Sequence, residues 1–218
     1  MIIIIIPYLK SIGITSLDYL IISHGDLDHI GDALNLIEKF RVKNLILNKY
    51  KLTNFENYSI ESSKKNNTKV SILESGDIIR ISNVVIKFLN PIDDVNENEN
   101  SLVFSINIDG HKILFTGDVG ITQEEKMLNT YDIGKIDILK VGHHGSKYST
   151  SKELLNTLSP DYALISAGIN NKFNHPTKET LEGLEAKKVK IYRTDLQCMI
   201  EVIFKNHKIN FNPFCSAK

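Results

Sequence analysis

The stretch that decides how this chain is read is Ser23-His24-Gly25-Asp26-Leu27-Asp28-His29. It follows directly on Leu17–Ile22, a strand candidate. It precedes Asp32–Phe40, where Ala33, Leu34, Ile37 and Phe40 recur at helical spacing. Mixed α/β folds gather their chemistry at such junctions, where a strand opens onto a loop and a helix N-terminus. Two imidazoles and two carboxylates fall within six residues, separated only by Gly25 and Leu27. Without a cation the carboxylates repel each other. With one, the loop can encircle a metal and touch a second. A turn that merely caps its helix needs one aspartate, such as Asp28 or Asp32, and no histidine.

Working outward, two further apolar strands end in residues of the same kind. Lys112–Phe115 ends at Thr116-Gly117-Asp118. Alone, Gly117-Asp118 is a turn signal; beside the first loop, Asp118 is a candidate to bridge two metals at a separation of roughly 3.5–4 Å. Ile136–Val141 ends at Gly142-His143-His144-Gly145-Ser146, where one histidine would ligate and the other would support it or donate a proton. Ser146 and Lys147 would meet an anionic substrate. His175-Pro176, behind Asn170-Asn171-Lys172-Phe173-Asn174, is a candidate contact for a phosphate or a leaving group. Arg193-Thr194-Asp195 reads as a strand-end salt pair, and as an anion clamp only if the fold carries it over the metals. His111 and His207 read as ordinary surface residues.

The rest of the chain alternates strand and helix around a strand-rich middle. Lys43–Leu47 reads as a strand and Asn54–Lys65 as a helix, while Lys69–Leu73, Asp77–Ile81 and Val84–Leu89 read as successive antiparallel strands. Pro91–Asn100 is an acidic, asparagine-rich loop. Leu102–Ile108 alternates apolar and polar residues and meets its return strand at the hairpin signal Asp109-Gly110. Thr122–Leu128 reads as a helix opened by a capping box of Thr122 and Glu125. Ser151–Leu158 and Thr177–Ala186 read as helices, Tyr162–Ser166 as a strand, and Val189–Tyr192, Met199–Phe204 and Lys208–Phe211 as closing strands. Ile2–Lys10 is ambiguous between strand and helix. Two sheets covered by helices follow from this order, and no composition break divides residues 1–218.

The chain has 218 residues, 26 basic and 26 acidic, so no global basic field advertises a polyanion; a nucleic-acid partner needs a local patch. Two cysteines, Cys198 and Cys215, cannot staple a disulfide-rich scaffold; one bridge between them is geometrically possible, but they read as ordinary thiols. The longest apolar run, Ile2–Ile6, is far short of a membrane span and lacks the features of a signal peptide. A cytoplasmic location is the default.

At these residues the chain resembles the metallo-β-lactamase-fold hydrolases, whose hallmark is a His-x-His-x-Asp-His loop. It is most similar to the hydrolase domain that ends the DNA-internalisation competence proteins, the ComEC-like family. The likeness runs through Pro7-Tyr8-Leu9-Lys10 with Gly13, Leu17-Asp18, the Ser23–Gly31 loop, Asn100-Ser101-Leu102-Val103, Thr116-Gly117-Asp118-Val119 and Leu139-Lys140-Val141 with His143-His144-Gly145-Ser146. It continues through Ser166, Gly168 and Asn170 with His175-Pro176, and Tyr192-Arg193-Thr194-Asp195. The resemblance implies a four-layer αββα domain and makes Pro7–Lys10 part of a first helix. Three departures stand out. Asp26 occupies the second histidine position of the loop, as is usual in the competence-like branch. Asn100-Ser101 stands where the broader family has an isolated histidine. The N-terminal strands usual in the family are not represented, so the fold is expected to be N-terminally shortened, with a sheet edge near Ile2–Ile6 open to self-association or to a partner protein.

The resemblance implies two divalent transition-metal ions, zinc or manganese, the oxygen-rich ligands favouring manganese or mixed occupancy. One would draw on His24, Asp26 and Asp118, the other on Asp28, His29, Asp118 and His143. The leading expectation is a phosphodiesterase or nuclease acting on DNA through a hydroxide activated by the metal pair. Asp28 would be essential, His144 or His175 the proton donor, and Ser146, Lys147 and Asn170 substrate contacts. The alternatives are hydrolysis of a small ester, lactone or thioester, and a non-catalytic metal-binding remnant.

Overall fold

The computed structural model describes residues 5–50 and 52–215. The three histidine- and aspartate-bearing loops converge because their strands share two facing sheets. In the first sheet, β1 (Ser16–Ile21), β2 (Arg41–Asn48) and β3 (Lys69–Leu73) run parallel in that order. Helix α1 (Ile5–Ser11) precedes it, α2 (Leu27–Ile30) and α3 (Ala33–Lys39) connect β1 to β2, and α4 (Asn54–Lys65) connects β2 to β3. Alternation along β2 divides its side chains. Leu45 and Leu47 pack outward with Ile30, Leu36 and Ile37 of the helices, while Ile46 packs inward against Phe88 and Phe104 of the second sheet.

The second sheet has seven strands. β4 (Ile78–Ile81), β5 (Val84–Asn90), β6 (Val103–Ile108) and β7 (His111–Phe115) form an antiparallel meander. Beyond β7 the pairing turns parallel through β8 (Ile138–Lys140), β9 (Tyr162–Ile165) and β10 (Lys190–Arg193). Helices α5 (Ile121–Thr130), α6 (Lys152–Leu158) and α7 (Lys178–Ala186) cover its outer face, burying Met127, Leu154, Leu158 and Leu184 against Leu114, Leu139 and Ala163. This is the four-layer αββα arrangement. A short helix α8 (Thr194–Gln197) leads to a separate hairpin, β11 (Ile200–Lys205) with β12 (Lys208–Pro213), whose Phe211 stacks on Tyr192 at 4.2 Å.

Three expectations are corrected. Lys69–Leu73 does not join the meander: it pairs parallel with β2, and the chain crosses between the sheets before β4. The capping box expected at Thr122 is absent, because α5 starts one residue earlier with Gly120 at its N-cap and no side-chain cap. A capping box does occur at α4, where Thr53 and Glu56 satisfy each other's backbone N–H. Cys198 and Cys215 are not free thiols. The β11–β12 hairpin brings their Cα atoms to 5.4 Å and they form a disulfide.

Pro7–Lys10 lies in α1, as the resemblance implies, and Ile6 packs into the helical layer outside the first sheet. Ile2–Ile4, the rest of the expected open edge, lie outside the described residues. Among the described residues no helix is long and apolar enough to cross a membrane.

Candidate metal centre

Three strand ends supply the site. After β1, the loop turns at Gly25 and enters α2 with Asp26 at its N-cap. Gly25 has to be glycine here: a Cβ would lie 2.2 Å from Thr53 Oγ1 and 2.7 Å from Glu56 Oε2, so the α4 cap presses directly on the loop. Its N–H donates to Glu97 Oε1 at 2.7 Å, which gives the acidic loop before β6 a bracing role. After β8 the chain makes a 3₁₀ turn, Gly142–Gly145, in which His143 and His144 adopt left-handed backbone angles of φ 45° and 54°. Left-handed backbone is uncommon in non-glycine residues and tends to cluster at functional sites. Here two in succession flank-to-flank with glycines turn both imidazoles toward Asp118.

Asp118, 5% exposed, stands at the centre. Its Oδ2 is 3.3 Å from His29 Nε2, 3.8 Å from His144 Nε2 and 3.9 Å from His143 Nε2. Burial pushes its pKa up, but the hydrogen bond and charge of His29, with His24 and His144, outweigh that and bring it down to about 2. His24 is fully buried; burial first and the neighbouring His29 second lower its pKa to about 4. His29 Nε2 faces His144 Nε2 at 3.3 Å, and His144 Nε2 lies 3.2 Å from Asp28 Oδ2.

Two groups therefore form, His24 with His29 and Asp118, and Asp28 with His29 and His144. Within each, one donor atom per residue lies within 4.8 Å of the others. Four of the six ligands expected from sequence, His24, Asp28, His29 and Asp118, fall in these groups. Asp26 stands 3.7 Å from His24 Nε2, and His143 stands at the Asp118 rim. His144 enters the second group.

The donor set fits divalent transition metals. His24 Nε2 is buried without a hydrogen-bond partner among the described residues, a costly arrangement unless the lone pair has another use. Imidazole and carboxylate together suit zinc and manganese. The outward nitrogens are held by the chain. His144 Nδ1 lies 2.8 Å from the Ser166 carbonyl, to which it donates, leaving Nε2 for the cluster. Ser101 Oγ lies 3.2 Å from His24 Nδ1 and accepts the Asp118 N–H at 3.1 Å. Ser23 Oγ lies within 3.2 Å of Nδ1 of both His24 and His29. Sequence reasoning marked Asn100-Ser101 only as the place of an absent histidine. The serine is in fact the brace that joins the first loop to Asp118.

The remaining candidates lie at different places. His175 is half-buried, its ring 5.8 Å edge-on from His143 and stacked on Phe173. Ser146 is buried beneath the 3₁₀ turn, its carbonyl accepting from Thr180 Oγ1. Lys147 lines a different cleft with Glu125 and Glu153, and Asn170 lies exposed at φ 51°. Arg193 pairs with Asp195 at 2.6 Å, while Thr194 Oγ1 bonds both the N–H and the carbonyl of Ala167 at 2.9 Å. That fixes the segment whose Ser166 holds His144. His111 is partly buried against Asp137 at 3.0 Å, and His207 is exposed. Two cavities meet at Asp28, His144 and Ser166. One, of about 360 Å³, runs between the sheets toward Phe115, and the other, of about 430 Å³, runs toward Phe173.

The sequence profile of the metallo-beta-lactamase superfamily matches residues 1–169. ComE operon protein 3 of Bacillus subtilis is 33% identical over 214 residues, 97% of this chain and 28% of its own length. Recombination protein 2 of Haemophilus influenzae is 34% identical over 203 residues, 92% of this chain and 24% of its own. The chain thus spans about a quarter of the length of these curated relatives. Among solved structures, CmlA, a diiron β-hydroxylase from Streptomyces venezuelae, superposes with a TM-score of 0.60 at 14% identity, covering 82% of this chain and 44% of its own. That likeness concerns the fold alone.

Proposed function

The chain belongs to the metallo-beta-lactamase superfamily, and on that premise we propose that it is a metal-dependent hydrolase whose substrate is a phosphodiester, with DNA the preferred class. The observation that carries this reading is that two ligand groups adjoin around the Asp118 carboxylate, close enough to suit two cations held side by side. His24, Asp26 and Asp118 would hold one ion and Asp28, His29 and His144 the other, with His143 beside them; residues 1–218 act as one unit. When bound, zinc or manganese there supplies Lewis acidity toward phosphoryl oxygens and water made acidic enough to attack at neutral pH.

The chain's own residues do the rest. Ser101 and Ser166 hold His24 and His144 by their outward nitrogens, so the ligand geometry is set before substrate arrives. With His144 tied at both nitrogens, His175 is the side chain left to pass a proton to the leaving oxygen. Burial, then His143 and His144, lower its pKa, so the ring gives up a proton the more readily once it carries one. Lys172, over the Phe173 ring at 4.6 Å, gives the outer cavity a cation beside an aromatic face. A nucleic-acid substrate is supported further by the name of one relative, a recombination protein. The apolar side of the inner cavity, with Ile21 and Leu102, favours a second reading, hydrolysis of a small ester, lactone or thioester.

A metal-supplemented assay offering DNA, RNA, bis-p-nitrophenyl phosphate and a lactone side by side separates the two. Phosphodiester cleavage that Asp28→Ala abolishes is the expected result. His175→Ala should keep its metals and lose about 10²–10⁴-fold in rate. Lactone turnover without phosphodiester cleavage would establish the second reading instead.

A further inference from the structure

The floor of the inner cavity is a cross-strand row. Phe104 of β6 pairs with Phe115 of β7, and Phe115 pairs with Lys140 of β8. Directly paired residues project to the same face of a sheet, so the three side chains stand side by side. The two phenyl rings stack at 4.9 Å and 15°, the row continues past the lysine to Leu164 of β9, and Asp28, His29 and His144 line the same cavity. Lys140 Nζ donates to the Val141 carbonyl at 3.1 Å and forms no ion pair among the described residues. An ammonium carries three donors, and one left partly unpaired beside apolar walls is costly unless an anion visits. Its backbone is pinned by Thr116 Oγ1, which donates to the Lys140 carbonyl at 2.9 Å. None of the chemistry assigned above uses this lysine.

We infer that the row is a nucleotide subsite: Lys140 receives a phosphate oxygen of the substrate beside the ligand groups, and the Phe115–Phe104 stack receives the base of the same nucleotide. The cavity of about 360 Å³ is within the usual range for small-molecule sites. An aliphatic ester would use the phenyl wall and leave the ammonium unpaired; a nucleoside phosphate uses both. The subsite rests on the phosphodiesterase reading and specifies its substrate, and a direct binding measurement tests it separately.

Isothermal titration of the full chain, as purified with its metals, would compare thymidine 5′-monophosphate with 2-deoxyribose 5-phosphate. The nucleotide should bind the more tightly. Lys140→Gln should weaken both by about 10–100-fold, the value of a hydrogen bond to a charged group, while Lys140→Arg retains most of the affinity. Phe115→Leu, which keeps the apolar volume, should weaken only the nucleotide, by about 5–100-fold, as loss of base stacking does. Unchanged nucleotide affinity in Lys140→Gln overturns the subsite, as does equal affinity of the two ligands for the wild-type chain. Weakening accompanied by loss of metal in the variants counts against it as well. Cleavage of bis-p-nitrophenyl phosphate, measured in parallel, judges the phosphodiesterase reading independently of these affinities.

Discussion

At the scale of single residues, His24 and Ser101 govern how the centre is held. His24 is buried and its pKa is lowered to about 4, against about 6.5 in an unfolded chain. Between these values the unfolded state binds more protons than the folded one, so folding stability rises with pH across the window. The metal-free protein should therefore lose stability as pH falls from about 6.5 toward 4. Thermal denaturation between pH 7 and 4 checks this, and the slope should flatten in His24→Asn. The Asp118 contribution lies lower, present above about pH 4 and lost as pH falls toward 2. Ser101→Ala removes the acceptor of a buried N–H and one of the two hydroxyl partners of His24 Nδ1 together. It should lower metal affinity about 10–100-fold while the ligands stay in place, as measured by competition with a chromogenic chelator. A ligand is legible in sequence because its residue type is chemically costly elsewhere. A serine brace is not, because serine is unremarkable at any turn.

At the scale of elements, the site depends on supports far from it in sequence. The Ser166–Ala167 segment is clamped by Thr194 at the start of α8, and Ser166 in turn orients His144. Thr194→Val keeps the shape and removes both hydrogen bonds. We expect metal affinity to fall about 10-fold, with little change in the cooperativity of unfolding. Titration of the second metal equivalent would show it, and an unchanged second equivalent would remove the clamp from the account. Helices α3 to α7, the three ligand-bearing strand ends and the β6–β7 hairpin are readable because each rests on local signals: periodicity, turn residues and clustered ligands. The partner of β3 is not. Its alternation is the same whether it extends the meander or lies parallel beside β2, and that choice is made by the α4 crossover and by packing across the sheets. The Thr53–Glu56 box was likewise present in sequence, but its purpose was not, since the contact of Thr53 and Glu56 with Gly25 exists only once α4 is folded against the loop.

At the scale of the whole molecule, the cysteine pair shows where sequence spacing fails. Cys198 and Cys215 lie 17 residues apart, and the β11–β12 hairpin, with six paired positions, closes that distance. The hairpin meets the second sheet through Phe211 on Tyr162 and Tyr192, and through the His207 N–H donating to Asp109 Oδ2 at 2.8 Å. The disulfide therefore constrains an appendage that rests on the β9–β10 edge and the β6–β7 turn, and that follows in the chain from α8 and Thr194. Closing a loop of this length contributes about 3 kcal/mol to stability, mainly by restricting the unfolded chain. The double variant Cys198→Ala with Cys215→Ala should lower the thermal midpoint by several degrees while keeping both metal equivalents. Ellman titration of the unfolded wild-type chain, prepared without reductant, should find no free thiol. Two free thiols in that titration, or a double variant as stable as the wild type, would show that the hairpin closes without the bond. Loss of metal along with stability would mean that the strain passes through Thr194 to His144, and that the appendage is part of the centre's frame.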